Sequence, residues 1–170
     1  LNNFMPYIMQ EIKSQPRQQY FLLHSLREII GSLASASLDQ QRILAPYVND
    51  IWVLLLQNSG CDEEGTRNLV AECIGKLTLM DPQTLLPKLR DMVMSEQATN
   101  SALARCTIVS AVKYTIIQQT HPIDLLLQSC IQVFLKCLRD SDLNVRRAGL
   151  IIFNTAAHNK PALIRDLLAD

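Results

Sequence analysis

Residues 140–147 read DSDLNVRR and join one apolar helical run to the next. An acidic turn followed by Val-Arg at a helix start is typical of a two-helix repeat, where the first helix reverses into the second. Prolines early in the candidate first helices recur at a regular interval: Pro6, Pro46, Pro87 and Pro122 lie 40, 41 and 35 residues apart. A period of about 40 residues with two helices per period predicts a HEAT-type α-solenoid.

Apolar residues follow a helical period along the chain. Ile123, Leu127, Cys130, Ile131 and Phe134, for example, share one face of a helix. No segment alternates for long with the period of a strand, so the predicted fold class is all-α. We predict four helix pairs and the start of a fifth, over residues 3–12 and 16–33, 43–58 and 64–80, 82–94 and 101–119, 122–139 and 143–158, and 161–170. The corresponding repeats cover residues 1–40, 41–81, 82–120 and 121–160, and the fifth begins at residue 161.

Local signals indicate how these helices start and pack. Asp81 is placed to cap a helix that begins with Pro82. Trp52 lies within an apolar stripe and is expected in the core rather than at a binding hot spot. Small residues in the second helices, such as Gly75 and Gly149, predict a close approach of neighbouring helices.

The charge balance argues against a general attraction to nucleic acid or to a membrane surface. The chain of 170 residues carries 16 basic and 16 acidic residues, so no net field draws it to a polyanion. No apolar run approaches the about 18 residues that a membrane-spanning helix needs. The N-terminus lacks the basic segment and apolar core of a secretory signal. The sequence begins and ends inside helical patterns, which favours a segment of a longer array.

The five cysteines indicate a reducing compartment. Cys61, Cys73, Cys106, Cys130 and Cys137 form an odd set without a C-x-x-C pair, and four of them lie on or beside apolar stripes. In such positions cysteine behaves as a small hydrophobic residue. Since an N-x-S/T glycosylation motif is also absent, the expected location is cytoplasmic and nuclear.

No pattern of residues points to catalysis or metal binding. His24, His121 and His158 are far apart and have no carboxylate or cysteine at ligand spacing. Zinc-protease, phosphate-loop and nucleophile-elbow motifs are absent. The acidic turn at residues 62–64 fits helix capping better than acid–base chemistry. We therefore expect no enzymatic activity, no cofactor and no small-molecule substrate.

Two sets of charged residues are candidates for contacts between repeats or with a partner. Asp140 and Arg146 are predicted to form a structural ladder along the stack. In this ladder Arg146 contacts the acidic turn of an adjacent repeat, and Asp140 makes the equivalent contact with the repeat next to its own. The second helix of each HEAT pair usually lines the concave side, where a wrapped partner would lie. The predicted partner-binding residues are the charged ones on the polar stripes of these helices: Arg27, Glu72, Lys76, Lys113 and Arg147.

Three strings carry a resemblance to a known family. They are QQYFLLHSLREII (residues 18–30), EEGTRNLVAECIGKLTLMDPQTLLPKL (63–89) and DLNVRRAGLIIFNTAAHNKPALIRDLL (142–168). Over essentially its whole length the chain resembles the C-terminal third of the cullin-associated and neddylation-dissociated (CAND) proteins. Segments 32–42 and 94–104 match the family poorly and are interpreted as altered connections between helices.

The resemblance implies a non-catalytic scaffold. CAND proteins are HEAT solenoids that wrap unmodified cullin–RING ligase cores, block adaptor binding and neddylation, and thereby promote exchange of substrate receptors. The implied partner is a cullin–RING core, contacted at the adaptor-binding, N-terminal end of the cullin, and the TATA-binding protein is a second implied partner. Neither a membrane nor direct nucleic-acid contact is expected. The HEAT period alone leaves other scaffolds open, namely a transcription regulator linked to the TATA-binding protein, a nuclear-transport receptor or a phosphatase scaffold.

Overall fold

The computed structural model describes residues 4–95 and 101–165, and in these ranges the regular structure is helical, without a strand. The α-helices are α1 (Phe4–Ser14), α2 (Gln19–Ala34), α3 (Leu38–Gln41), α4 (Val48–Gln57), α5 (Glu64–Met80), α6 (Pro82–Met94), α7 (Ala102–Val112), α8 (Ile123–Phe134), α9 (Leu143–Asn159) and α10 (Ala162–Arg165). Short 3₁₀ turns adjoin α2, α4, α7 and α8, at Pro16–Gln18, Ala45–Tyr47, Lys113–Thr115 and Leu135–Arg139.

The helices form two layers that pack in the order of a solenoid. In one layer α2 packs on α5, α5 on α7 and α7 on α9, so the second helices form a continuous row. In the other layer α6 packs on α8, and α1, α4 and α6 each pack on the second helix that follows them. The described part of the chain is therefore an all-α, HEAT-like solenoid, which confirms the predicted fold class.

The repeat period is uneven but close to the predicted one. The second helices begin at residues 19, 64, 102 and 143, so successive starts lie 45, 38 and 41 residues apart. After α9 the chain turns into α10, which packs on α8 and α9; that a fifth repeat begins here stays a prediction. The longest interval contains the connection at 32–42, where α3 adds a helical turn that the sequence did not predict.

Side-chain caps mark the starts of α6 and α9. The Asp142 carboxylate accepts hydrogen bonds from the backbone N–H groups of Asn144 at 2.8 Å and Val145 at 3.2 Å. Asp81 accepts from the N–H of Thr84 at 3.4 Å, which confirms the predicted cap. Each cap satisfies donors that the first turn of a helix leaves without an intrahelical partner.

The core lies between the two layers and is continuous along the solenoid. Trp52 on α4 is 5% exposed, so its predicted place in the core is confirmed. Burial of a large apolar side chain stabilises the fold by about 1.5–3 kcal/mol relative to exposure. Both layers contribute such side chains, among them Met5, Leu23, Ile51, Ile74, Leu86, Ile108, Phe134 and Ile152.

Two glycines permit the closest approaches between neighbouring helices. A Cβ atom at Gly75 would lie 2.4 Å from the Cβ of Tyr114 and 2.6 Å from the carbonyl oxygen of Ala111. A Cβ at Gly149 would lie 3.0 Å from the Cβ of Cys137. Since carbon atoms in contact are normally about 3.5–4.0 Å apart, the absence of a side chain at Gly75 is what lets α5 approach the end of α7. The predicted packing role of these small residues is confirmed.

The helix predicted over residues 101–119 ends early, with its 3₁₀ turn at Thr115. The reason is that the carbonyl groups beyond this point bond to the end of α9. Asn159 donates from Nδ2 to the carbonyl of Ile116 at 2.7 Å, and Lys160 donates from Nζ to the carbonyl of Gln119 at 2.9 Å. Residues 116–121 thus form an irregular connection that α9 holds in place.

Other predicted boundaries also require correction. Pro87 lies inside α6 rather than near the start of a first helix. Because proline has no N–H, the carbonyl of Gln83 lacks its usual donor within the helix. Residues 43–47 form turns, and the regular part of α4 begins at Val48. The predicted start at residue 3 and the continuation of the last helix over 166–170 lie outside the described residues.

Candidate protein-interaction surface

The row of second helices carries two grooves. The first, called here the α2–α5 groove, has a volume of about 680 Å³ and is lined by residues that include Arg27, Gly31, Lys76, Lys113, Tyr114 and His121. The second, the α5–α9 groove, has a volume of about 320 Å³ and is lined by residues that include Glu64, Arg67, Asn68, Lys113, Asn144 and Arg147. Since a water molecule occupies about 30 Å³, each groove has room for side chains of a partner.

A cluster of charges joins α2 to α5 beside the α2–α5 groove. The Glu72 carboxylate forms ion pairs with Lys76 Nζ at 2.6 Å and with Arg27 Nη1 at 3.6 Å. Arg27 also donates to the carboxylate of Glu28 and contacts the ring of His24 at 2.9 Å. The hydrogen bond between Arg27 and Glu28 raises the pKa of the guanidinium and lowers that of the carboxyl group. Three of the predicted partner-binding residues are therefore brought together by ion pairs within the chain.

The other two predicted partner-binding residues, Lys113 and Arg147, both line the α5–α9 groove. Lys113 Nζ lies 4.8 Å from the centre of the Tyr114 ring, a distance at which cation and ring attract each other. Arg147 is exposed on α9. Neither cation forms an ion pair with another residue in the described ranges. That the two bind a partner stays a prediction.

Asp140 takes part in a contact between repeats. Arg105 on α7 places its Nε and Nη2 atoms each 3.1 Å from the Asp140 carboxylate, which lies before α9. Burial raises the pKa of Asp140, but the hydrogen bonds from Arg105 and the backbone outweigh it, so the pKa lies below its usual value. This two-point pairing fixes the turn between the two helices of one repeat against the second helix of the repeat before it.

Arg146 does not reach an adjacent repeat, which corrects the prediction for this residue. Its Nη1 atom donates to the carbonyl oxygens of Asp140 at 2.8 Å and Ser141 at 2.9 Å, both in its own turn. Arg146 lies in the first turn of α9, and side chains of a helix point back toward its N-terminus. The guanidinium therefore covers the turn that precedes its own helix.

The same arginine recurs at the same place in three second helices. Each of these arginines lies four positions after the N-cap residue of its helix: Arg67 after Glu63, Arg105 after Ser101 and Arg146 after Asp142. Arg67 repeats the contacts of Arg146, since its Nη1 donates to two carbonyl groups of the preceding turn at 2.7 Å each. Sequence reasoning missed Arg67 and Arg105. An arginine four residues after each capping position is the signal that would have found them.

A further set of contacts holds one wall of the α2–α5 groove. Lys160, just after α9, places its Nζ atom 2.9 Å from the carboxylate of Asp124 on α8. Asp124 in turn accepts from the backbone N–H of His121 at 3.2 Å. Burial lowers the pKa of His121. The irregular connection over residues 116–121 is thereby anchored to both α8 and α9.

Potential metal ligands and thiols are not assembled into a reactive site in the ranges described. No three His, Cys, Asp or Glu side chains there are close enough to share a metal ion. The five cysteines are free. Burial raises the pKa of Cys73 to about 12 and that of Cys137 to about 11, so both thiols stay protonated at neutral pH. As for membranes, none of the described helices is both long and apolar enough to cross one.

Comparison with known proteins identifies the relatives of the chain. It is 49% identical over 170 residues to cullin-associated NEDD8-dissociated protein 2 of Mus musculus. It is 49% identical over 168 residues to cullin-associated NEDD8-dissociated protein 1 of Drosophila melanogaster. The chain belongs to the CAND family. No family model matches the sequence.

The match to the CAND family covers the whole of this chain but a small part of its relatives. The alignments include 100% and 99% of the chain, and the chain spans 13% of the length of the mouse and fly proteins. A relative from Emericella nidulans is 32% identical over 162 residues, which are 95% of this chain and 15% of that protein, and its name specifies the C-terminal part. The resemblance of the sequence to the C-terminal region of CAND proteins agrees with that name.

Proposed function

We propose that this chain is part of a non-catalytic scaffold that associates with cullins. The observation that carries the proposal is its identity of 49%, over the whole chain, with relatives named as cullin-associated. A solenoid with open grooves along one row of helices supports it, because such a surface suits an extended protein partner better than a small molecule. Association of this kind requires complementary surfaces and no catalytic group.

The partner that we propose is the unmodified cullin–RING ligase core. A solenoid wrapped around that core covers the surfaces where adaptors bind and where neddylation occurs, so it excludes both by steric competition. Its release and rebinding then allow one substrate receptor to be exchanged for another. For this segment we propose contact near the adaptor-binding, N-terminal end of the cullin.

A pull-down with the complete protein tests the proposed partner. The protein is immobilised and offered either the unmodified or the neddylated cullin–RING core at equal concentration. We expect retention of the unmodified core and strongly reduced retention of the neddylated one. Equal retention of both would contradict the sensitivity to neddylation, and retention of neither would contradict association with cullins.

Charge reversal tests whether the predicted residues face the partner. Reversal of Arg27, Lys76, Lys113 and Arg147 together should slow association with the unmodified core and weaken its salt dependence, because charges at the edge of an interface act mainly on the association rate. Each charge should contribute on the order of 1 kcal/mol or less.

The matched control reverses two arginines and two lysines that are exposed elsewhere on the solenoid: Arg17, Lys88, Lys136 and Arg139. This control variant should associate at the wild-type rate. Circular dichroism must show that both variants keep their helicity. If the variant on the second helices also associates at the wild-type rate, the four altered residues do not face the partner.

A further inference from the structure

The two grooves on the second helices meet at one residue. Lys113 lines both the α2–α5 groove and the α5–α9 groove. Because it lies at the end of α7, in the middle of the row from α2 to α9, the grooves form one path along the described solenoid. We call this path the second-helix channel.

The second-helix channel is positively charged although the chain as a whole is neutral. Five cations line it against three carboxylates in the described ranges. A local excess of one sign in a groove attracts partners of the opposite sign more than an open surface does. The cations are Arg27, Arg67, Lys76, Lys113 and Arg147, and the carboxylates are Glu28, Glu64 and Asp142.

Most of these cations already have partners within the chain. Lys76 is paired with Glu72, and Arg27 with Glu28 and Glu72. Arg67 is held by backbone carbonyl groups. Their charges are therefore offset by carboxylates or held by carbonyl groups, so a new carboxylate that approaches them gains little binding free energy.

Lys113 and Arg147 differ, since no carboxylate pairs with either one in the part of the chain that is described. The carboxylate of Asp142 lines the same groove but caps α9, where it accepts two backbone hydrogen bonds. The amides of Asn68 on α5 and Asn144 on α9 also line this groove and can bond to the backbone of an extended segment.

We propose that the second-helix channel binds an acidic, extended segment of the protein partner, with Lys113 and Arg147 as the residues that pair with its carboxylates. The proposal rests on the function proposed above, because the acidic segment is taken to belong to the partner proposed there, the cullin–RING core. It deepens that function by separating Lys113 and Arg147, which are available for new ion pairs, from Arg27 and Lys76, which are already paired with Glu28 and Glu72.

A peptide-binding experiment tests the channel directly. The probe is a fluorescein-labelled peptide of alternating glutamate and serine, and the reference is the same peptide with glutamine in place of glutamate. Fluorescence anisotropy with the complete protein measures the affinity at low and at physiological salt. We expect the glutamate peptide to bind and the glutamine peptide to bind at least about tenfold more weakly, a difference of about 1.4 kcal/mol.

Variants then locate the binding site. Lys113→Gln combined with Arg147→Gln should weaken binding of the glutamate peptide by about tenfold and flatten its salt dependence. The control is Lys88→Gln combined with Arg17→Gln, which removes the same two charges from exposed positions outside the channel. The control should bind like the wild type. Equal binding of the two peptides, or an equal loss in both double variants, overturns the proposal.

The pull-down on unmodified cullin–RING core separates this proposal from the proposed function. If the wild-type protein binds the glutamate peptide through Lys113 and Arg147 but retains no cullin, the channel is supported and the cullin scaffold is refuted. If the wild-type protein retains cullin and the Lys113/Arg147 double variant binds both peptide and cullin unchanged, the scaffold stands and the channel proposal is overturned.

Discussion

Replacing Gly75 by alanine should destabilise the solenoid, even though alanine is the better helix former. Gly75 lies on α5, which packs on both α2 and α7. The new Cβ would lie 2.4 Å from the Cβ of Tyr114 and 2.6 Å from the carbonyl oxygen of Ala111. A normal separation between carbon atoms is about 3.5–4.0 Å. Neither contacted atom can move by rotating a side chain, so the helices themselves have to separate.

The expected loss of stability is about 2 kcal/mol. An added methylene in a well-packed core costs about 1–3 kcal/mol, and a clash with main-chain atoms belongs at the upper end of that range. Alanine in place of glycine inside a helix returns about 1 kcal/mol through its higher helix propensity. Since the free energy of unfolding falls by about 1–3 kcal/mol per molar urea, the urea midpoint should drop by about 1 M.

Two other glycines in second helices provide matched controls. A Cβ at Gly31 would meet the Nζ atom of Lys76 at 3.1 Å, the far end of a flexible side chain that can turn aside. Gly31→Ala should therefore keep the propensity gain and leave the urea midpoint unchanged or higher. Gly149→Ala should be intermediate, because its Cβ would lie 3.0 Å from the Cβ of Cys137.

The assay is urea unfolding of the wild type and the three variants, followed by far-UV circular dichroism. The urea midpoint should be lowest for Gly75→Ala, higher for Gly149→Ala and highest for Gly31→Ala. If Gly75→Ala unfolds at the same urea concentration as Gly31→Ala, the close approach of α5 to the end of α7 does not constrain this position.

Three further perturbations have definite expected outcomes. Thr107→Val removes a hydroxyl that donates to the buried carbonyl of Ser59 at 2.7 Å, so urea unfolding should show a loss of about 1–3 kcal/mol, and no change would contradict the role of this hydrogen bond. Asp140→Asn should cost on the order of 1–2 kcal/mol at neutral pH by weakening the pair with Arg105. The pKa of Asp140 in the folded protein lies below its ordinary value of 3.8, so the loss of stability should be present above pH 3.8 and should vanish as the pH falls through the folded pKa. If the urea midpoints of the wild type and the variant still differ in stronger acid, the ionised Asp140 carboxylate is not the source of the loss. Burial raises the pKa of Cys73 to about 12, so this thiol should resist alkylation in the native state and react only after unfolding. Mass spectrometry measures the labelling, and native labelling of Cys73 at the rate of the partly exposed cysteines would contradict its burial.

Helix positions and caps were predictable because they depend on residues within about one helical turn of each other. The apolar period located the helices of both layers. Asp81 was assigned as a cap from the proline that follows it, and Trp52 was assigned to the core from its place in an apolar stripe. The strings at residues 18–30, 63–89 and 142–168 led to the CAND family, with which the comparisons agree.

The pairing of charges was decided by the tertiary structure. Arg105 and Arg146 occupy the same place in their helices, four residues after the cap. Arg105 pairs with the Asp140 side chain of the following repeat, whereas Arg146 bonds to carbonyl groups of its own turn. Likewise Glu72 joins Lys76 on its own helix to Arg27 on a neighbouring one. The identity of the residues did not distinguish these outcomes.

The helix that was predicted to reach residue 119 shows why the sequence alone did not determine contacts between repeats. Its last carbonyl groups bond to Asn159 and Lys160, which lie 43 and 41 residues further along the chain. A helical period and a cap involve neighbours in sequence, so a single sequence contains them. Contacts between repeats depend on the distance and angle between helices that are about 40 residues apart in the sequence. The connections differ in length, so this distance and angle are fixed only when the whole stack has formed.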